Sequence, residues 1–305
     1  MIWTLAIFAA LALAGYAALQ IAIARNGPAV LDTVDRITSR AANIERMETV
    51  RFGEHPAQKL VVLRQQGLAP DAMQPVVVFQ HGGSWKNGDP EDYSFIGRSF
   101  APHGFVAVVT GYRLGEDGKF PAMLEDGAAA LAWIRTNIAA LGGNPDHIVL
   151  MGHSAGAYNV GMLALDQRWL ERENVPFGSV RGVVGLAGPY DFYPFDSEST
   201  QATFGEFDDP DATQPVNFSH ADAPPFLLVH GEQDTTVRAR NSHALLAHLK
   251  STGVSAQLLT FSEMDHTAPL LRLASPWRRD GEMHEAIRQF IANPQTSVPV
   301  QGKMR

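Results

Sequence analysis

The segment HIVLMGHSAGAYN places Ser154 between Gly152 and Gly156, directly after an apolar run. A serine hydroxyl is a weak nucleophile until a base takes its proton, so its surroundings decide whether it can attack carbon. The spacing G-x-S-x-G, with a strand before it and alanine-rich helical sequence after it, describes a sharp strand-to-helix turn. Such a turn lifts the serine oxygen clear of the main chain and leaves no room for large neighbours. The helix that starts near Ala155 then aims its first amide N–H groups at the reacting carbon's oxygen, where they stabilise negative charge. The competing reading is a glycine-rich turn whose serine only caps the helix.

A turn of this kind needs a buried parallel strand beneath it. From about residue 48 the chain offers the strand candidates ETVRFG, QKLVVLR, PVVVFQ, FVAVVTG, HIVLMG, VRGVVGLAG, PPFLLVHG and AQLLTF. The last six are near-continuous apolar runs, as expected of strands covered on both faces. Helical stretches fall between them at 92–102, 121–141, 155–170, 238–252 and 280–292. The alternation predicts an α/β fold with a mostly parallel sheet of about eight strands, helices on both faces and an antiparallel pair at one edge. Residues 190–225 break the pattern, being too long for an ordinary connection. They read as a short cap or as an irregular excursion, and Phe192, Phe195, Phe204 and Phe207 favour the cap. The catalytic domain is expected over 48–293, with 294–305 a frayed tail.

GHSAG in this setting resembles the nucleophile elbow of the α/β-hydrolase superfamily. HGGSW, His81 to Trp85, resembles the HGGxW branch that includes kynurenine-formamidase-like and feruloyl-esterase-like hydrolases. The resemblance implies an oxyanion-binding segment after the third strand, an acid after a late strand and a histidine near the C-terminus, in the chain order Ser, Asp or Glu, His. In HGGSW the glycines Gly82 and Gly83 let amides turn inward with no Cβ in the way. The resemblance implies that one of these amides, that of Gly83, acts with the amide of Ala155. Ser84-Trp85 departs from the HGGG form of many lipases and esterases. Ser84, Trp85, Tyr190 and Phe192 are expected to bind substrate, Trp85 chiefly by packing, and His81 to brace the loop.

The acid is expected to be Asp234 in LLVHGEQDTTV, at the end of a buried strand after Gly231, with Asp191 in LAGPYD as runner-up. Glu232 projects differently from its neighbours. A carboxylate fixes the imidazole tautomer and leaves the other ring nitrogen free as base. The histidine is expected to be His266 in SEMDHT. His243 and His248 fall inside a predicted helix, His230 lies on the strand side of the acid turn, and His284 sits in the last helix. Together these residues imply a serine hydrolase acting on small to medium carboxylic esters through an acyl-enzyme, with no metal and no organic cofactor. An arylformamide or other amide is the alternative substrate. A hydrolase-like module that binds a partner without turnover is the alternative of another class.

With 24 basic against 32 acidic residues, a formal charge of -8 and no Lys/Arg block, a nucleic-acid partner is set aside. The absence of cysteine excludes disulfides, thiolate zinc sites and a cysteine nucleophile. At 305 residues and 45% hydrophobic content, one large core suffices. The first 24 residues carry no charged side chain. Trp3 to Ala24 would extend about 33 Å as a helix, the thickness of a bilayer's hydrocarbon. Residues 1–25 are therefore expected to be a transmembrane anchor in a lipid bilayer. A cleaved signal peptide ending at Ala22-Ile23-Ala24 is the alternative, although no Lys or Arg precedes the run. Arg25, Arg36, Arg40 and Arg46 favour a cytoplasmic catalytic side without fixing it. Over 26–47, Pro28 and the spacing of Val30, Val34, Ile37, Ala41 and Ile44 predict an amphipathic juxtamembrane helix. It is too short for a coiled-coil seam, so the oligomeric state stays open.

Overall fold

The computed structural model describes residues 2–41 and 43–296, with the backbone alone at 2–12, 279 and 280. The β-branched runs form β1 (Ile44–Arg46), β2 (Val50–Arg51), β3 (Lys59–Gln65), β4 (Gln74–Gln80), β5 (Val106–Thr110), β6 (Gly143–His153), β7 (Val180–Leu186), β8 (Phe226–Gly231) and β9 (Ala256–Phe261). They make one 9-stranded sheet in the order β1-β3-β5-β4-β6-β7-β8-β9, with β2 also paired to β3. β1 and β2 run antiparallel to β3, and β3 antiparallel to β5. From β5 across to β9 every pairing is parallel.

The crossovers and flanks supply α1 (Ile2–Thr38), α2 (Ser94–Phe100), α3 (Ala122–Asn137), α4 (Ala155–Leu165), α5 (Arg168–Arg172), α6 (Glu198–Phe204), α7 (Arg240–Ser251), α8 (Ala268–Leu271) and α9 (Glu282–Ala292). Along β4, Val76 and Val78 face the core shared with α3, α4 and α7, while Val77 and Phe79 face the core shared with α1, α2 and α9. Both faces of the strand are covered, so both alternating sets are apolar. Each such side chain contributes about 1.5–3 kcal/mol on burial. The parallel strands all end at one edge, which carries Gln80, Ser154, Gly231 and the segment after Phe261. Ligands of open α/β sheets bind at this edge.

Three expectations change. The helix predicted over 26–47 ends at Thr38, and Ile44–Arg46 is a strand paired with β3. Its buried face is Leu31 and Asp35, whereas Ile37 is 76% exposed. The rotation is set by polar docking. Arg98 of α2 binds both Asp32 and Asp35. Asp32 also caps α2 through the Phe95 amide at 2.7 Å, and Asp35 accepts the Ser275 amide at 2.7 Å. A buried carboxylate such as Asp35 must be met by charged and hydrogen-bonding partners, and Arg98 and the Ser275 amide meet it on the inward side of α1. Second, ETVRFG contributes only Val50–Arg51 to the sheet.

The third concerns the expected span from Trp3 to Ala24. α1 covers it but breaks at Asn26, whose φ of -154° and ψ of 81° are not helical. Among the described residues no helix is long and apolar enough to cross a membrane. Side chains 2–12 of the expected span lie outside those described.

The segment 190–225 packs on the body of the fold. α6 brings Phe204 to full burial, with ring centroids 4.9 Å from Trp85 and 5.2 Å from Tyr158. The expected tail falls largely on residues 297–305, outside the described residues.

Candidate active site

Ser154 stands between β6 and α4 with φ 56° and ψ -122°. A non-glycine residue in this left-handed region is strained and persists only where its neighbours enforce it. The enforcement is visible in both flanking glycines. A Cβ on Gly152 would overlap the backbone of Gly156, and one on Gly156 would overlap the Gln80 carbonyl. The G-x-S-x-G spacing is thus the imprint of α4's start pressed against β4 and β6.

The loop after β8 brings in Asp234, 5% exposed, and the loop after β9 brings in His266. His266 Nε2 lies 2.9 Å from Ser154 Oγ, and His266 Nδ1 lies 2.7 Å from Asp234 Oδ2. The carboxylate only accepts, so Nδ1 carries the proton and Nε2 is left to accept from the serine. Asp234 Oδ1 takes the Thr236 and Val237 amides at 2.9 and 2.8 Å. Burial acts to raise the Asp234 carboxyl, but hydrogen bonds from His230 and His266, the His266 charge and the Val237 amide hold it well below the usual carboxylate range. Asp191, the runner-up, makes no bond to His266; its amide instead donates to Asn241 Oδ1 at 2.9 Å.

The segment expected to hold the oxyanion lies directly against the Ser154 turn, where a Cβ on Gly82 would come within 3.1 Å of Ser154 Cβ. Gly83 has φ 116°, and a Cβ there would overlap the Asn87 carbonyl. Ser84 and Trp85 follow at φ 56° and 57°. The amides of Gly83 and Ala155 donate to no other group among the described residues, which leaves them available to a substrate oxygen. His81 braces this loop as expected. Its Nδ1 donates to the Gly82 carbonyl at 2.8 Å, its ring stacks 4.7 Å from that of Tyr112, and the Tyr112 hydroxyl donates to the His81 carbonyl.

Ser84, Trp85 and Phe192 line a cavity of about 320 Å³ that opens on Ser154. Trp85 also packs, donating Nε1–H to Asn159 at 3.1 Å. Tyr190 is a correction. It is 1% exposed, does not line the cavity, and fills the space left by the missing side chains of Gly185 and Gly188. Phe192, Phe195 and Phe204 pack on one another, and Phe192, Phe204 and Phe207 also pack on Trp85, Tyr158 and Phe120 beneath them. A larger cavity, about 420 Å³, lies beside Thr38, Arg40 and Arg278 and contains none of these groups.

Two histidines that the sequence reading left unused stand behind the trio. His153 Nε2 donates to the His266 carbonyl at 2.8 Å, holding His266 from its main chain. His230 is fully buried; its Nε2 lies 2.7 Å from the Val237 carbonyl and 3.3 Å from Asp234 Oδ2, and its Nδ1 lies 2.7 Å from Ser242 Oγ. Both facing oxygens at Nε2 only accept, so the proton sits there and Ser242 donates to Nδ1. The signal in sequence was their adjacency, in GHS and in VHGEQD, to Ser154 and Asp234.

Burial, and next the nearby His266, bring the His153 imidazole down to about 3. Burial, and next Arg278, bring His284 down to about 4 from the ordinary 6.5. Between these values the unfolded chain binds a proton that the folded chain refuses. Stability is therefore full above 6.5 and falls as pH drops toward 4. Urea unfolding of His284→Gln, compared with the parent between pH 7 and 5, should show a slope shallower by up to about 1.4 kcal/mol per pH unit. Parallel slopes would show that His284 is not held neutral by the fold.

Comparison with known proteins places the chain in a family. Residues 68–249, more than half of the chain, match the BD-FAE family. The chain is similar to esterase LipQ of Mycobacterium tuberculosis, 30% identical over 256 residues, 76% of this chain and 58% of LipQ. It is also similar to the isoprenylcysteine alpha-carbonyl methylesterase ICME of Arabidopsis thaliana, 27% identical over 241 residues, 72% of this chain and 56% of that protein. The chain thus spans less than two thirds of the length of these relatives. Among solved structures, esterase B from Lactobacillus rhamnosis has a TM-score of 0.72 at 21% identity, over 92% of this chain and 95% of that one. The butyrate-bound esterase Est2 from Thermogutta terrifontis has a TM-score of 0.69 at 20% identity, over 86% and 98%. These likenesses show the α/β-hydrolase-like fold, and the match over 68–249 shows that the chain belongs to the BD-FAE family.

Proposed function

We propose that this chain is a serine hydrolase that cleaves small to medium carboxylic esters. The observation that carries the reading is the continuous run of hydrogen bonds from Ser154 through His266 to Asp234. In this reading Ser154 Oγ attacks the acyl carbon as its proton passes to His266 Nε2, and the amides of Gly83 and Ala155 hold the oxyanion. The imidazolium, steadied by Asp234, returns the proton to the leaving alcohol. Water, deprotonated by the same nitrogen, then releases the acid and restores the serine. The esterase names of LipQ and ICME support the choice of ester, and the HGGSW segment keeps an arylformamide as the second substrate to test.

Attachment to a lipid bilayer through the N-terminal segment belongs to the same proposal. It is supported by the outer half of α1, where Leu13, Tyr16, Leu19, Ile21 and Ile23 are exposed. A panel of p-nitrophenyl esters of graded acyl length plus an arylformamide, run on the detergent-solubilised full chain, tests the activity. Short and medium esters are expected to turn over fastest. Preference for the formamide would move the assignment to an amidase, and no turnover of any member would sink it.

A further inference from the structure

We infer that the ester taken by this site carries a carboxylate, received by Arg238 and Arg240; this rests on the esterase reading above and adds a substrate class to it. The chain's formal charge of -8 repels an anion, so an anionic substrate needs local cations at the mouth of the site. Near the cap such cations are mostly neutralised. Lys86 pairs with Glu198 at 2.7 Å, and Lys119 with Glu116 and Glu206 at 3.0 and 2.9 Å. Arg238 and Arg240 line the same cavity as Ser154. Arg238 offers only its carbonyl, to Asn241, and neither guanidinium meets a hydrogen-bond or ion-pair partner among the described residues.

The root of Arg238 is fixed by the chemistry beside it. The preceding amides, those of Thr236 and Val237, bind Asp234 Oδ1. The first of the two guanidinium groups therefore hangs from the loop that holds the proposed acid, within side-chain reach of the cavity. Asp196 is the one carboxylate on the lining, so two guanidinium groups against one carboxylate leave a single positive charge. One substrate carboxylate matches it, and a guanidinium fork suits that planar acceptor. Hydroxyls from Ser199, Thr200, Thr235 and Thr236 fill much of the remaining wall. Trp85, Phe192 and Val237 keep part of the wall apolar, whereas Tyr190 and Phe204 are consumed in the core. A carboxylate facing an apolar wall would lose hydration without compensation. Here it meets donors.

The test measures kcat/KM on the full chain for two matched pairs. 4-Nitrophenyl hydrogen succinate against 4-nitrophenyl butyrate puts the charge on the acyl side, and 4-acetoxybenzoate against phenyl acetate puts it on the alcohol side. In one pair the charged ester should be preferred by at least about fivefold, the preference shrinking as salt rises from about 0.05 to 0.5 M. Arg238→Gln combined with Arg240→Gln should bring that ratio to near parity. Preference for the neutral ester in both pairs, or a preference that the double variant retains, overturns the assignment. Turnover of the neutral esters without charge preference sinks only the arginine role, whereas no turnover of either kind sinks the esterase reading beneath it.

Discussion

Replacing Ser154 with alanine is expected to lower ester turnover by about four to six orders of magnitude and leave the fold standing. Among the described residues the hydroxyl is the only side-chain nucleophile that meets His266 Nε2, at 2.9 Å. Without it, water must attack unaided, with the Gly83 and Ala155 amides still in place. Alanine tolerates φ 56° about as well as serine, and Ser154 Oγ bonds to no described group besides His266. The thermal midpoint should therefore stay within a few degrees of the parent. Labelling by a fluorophosphonate probe should vanish in the variant. If the alanine variant retained a tenth of the parent rate on a purified, probe-silent sample, another group would have to be the nucleophile.

Asp234→Asn should cost about four orders of magnitude in kcat, while Asp191→Asn should stay within about threefold of the parent. An asparagine keeps one oxygen to accept the Thr236 and Val237 amides, so the loop survives. What changes is the group facing His266 Nδ1. An amide NH2 there donates, which drives the ring proton to Nε2 and leaves no lone pair for the serine. Asp191 touches neither ring nitrogen. A pair of variants with equal losses would mean that the acid is not assigned by the 2.7 Å contact to His266.

The elbow could be read from sequence because part of its cause is local, although Gly156 is also required by the distant Gln80 carbonyl. Gly152 and Gly156 flank one serine by steric need, and β6 and α4 adjoin it in the chain. Asp234 and His266 were legible for a different reason, since each follows a buried apolar run whose end must lie at the same edge of a parallel sheet. Tyr190 was not, because whether an aromatic lines a cavity or fills the notch beside Gly185 depends on which wall the cap folds against. The inward face of α1 was also hidden. Hydrophobic spacing cannot register that Asp32 and Asp35 meet Arg98, some sixty positions along the chain. His153 escaped because its partner, the His266 carbonyl, is a main-chain atom brought close only by the fold, and His230 because its ring meets Ser242 and the Val237 carbonyl as well as Asp234.

Ser84, Trp85 and Ser154 hold three left-handed side-chain-bearing residues around one cavity. Each such conformation costs roughly 1 kcal/mol or more, and the surrounding aromatic packing must offset it. Robustness to heat and speed of turnover are consequently opposed at this rim. Glycine at position 84 would release tension there and at the same time let the neighbouring amides wander, so a sequence drifting toward greater hardiness would blunt the very tool it protects.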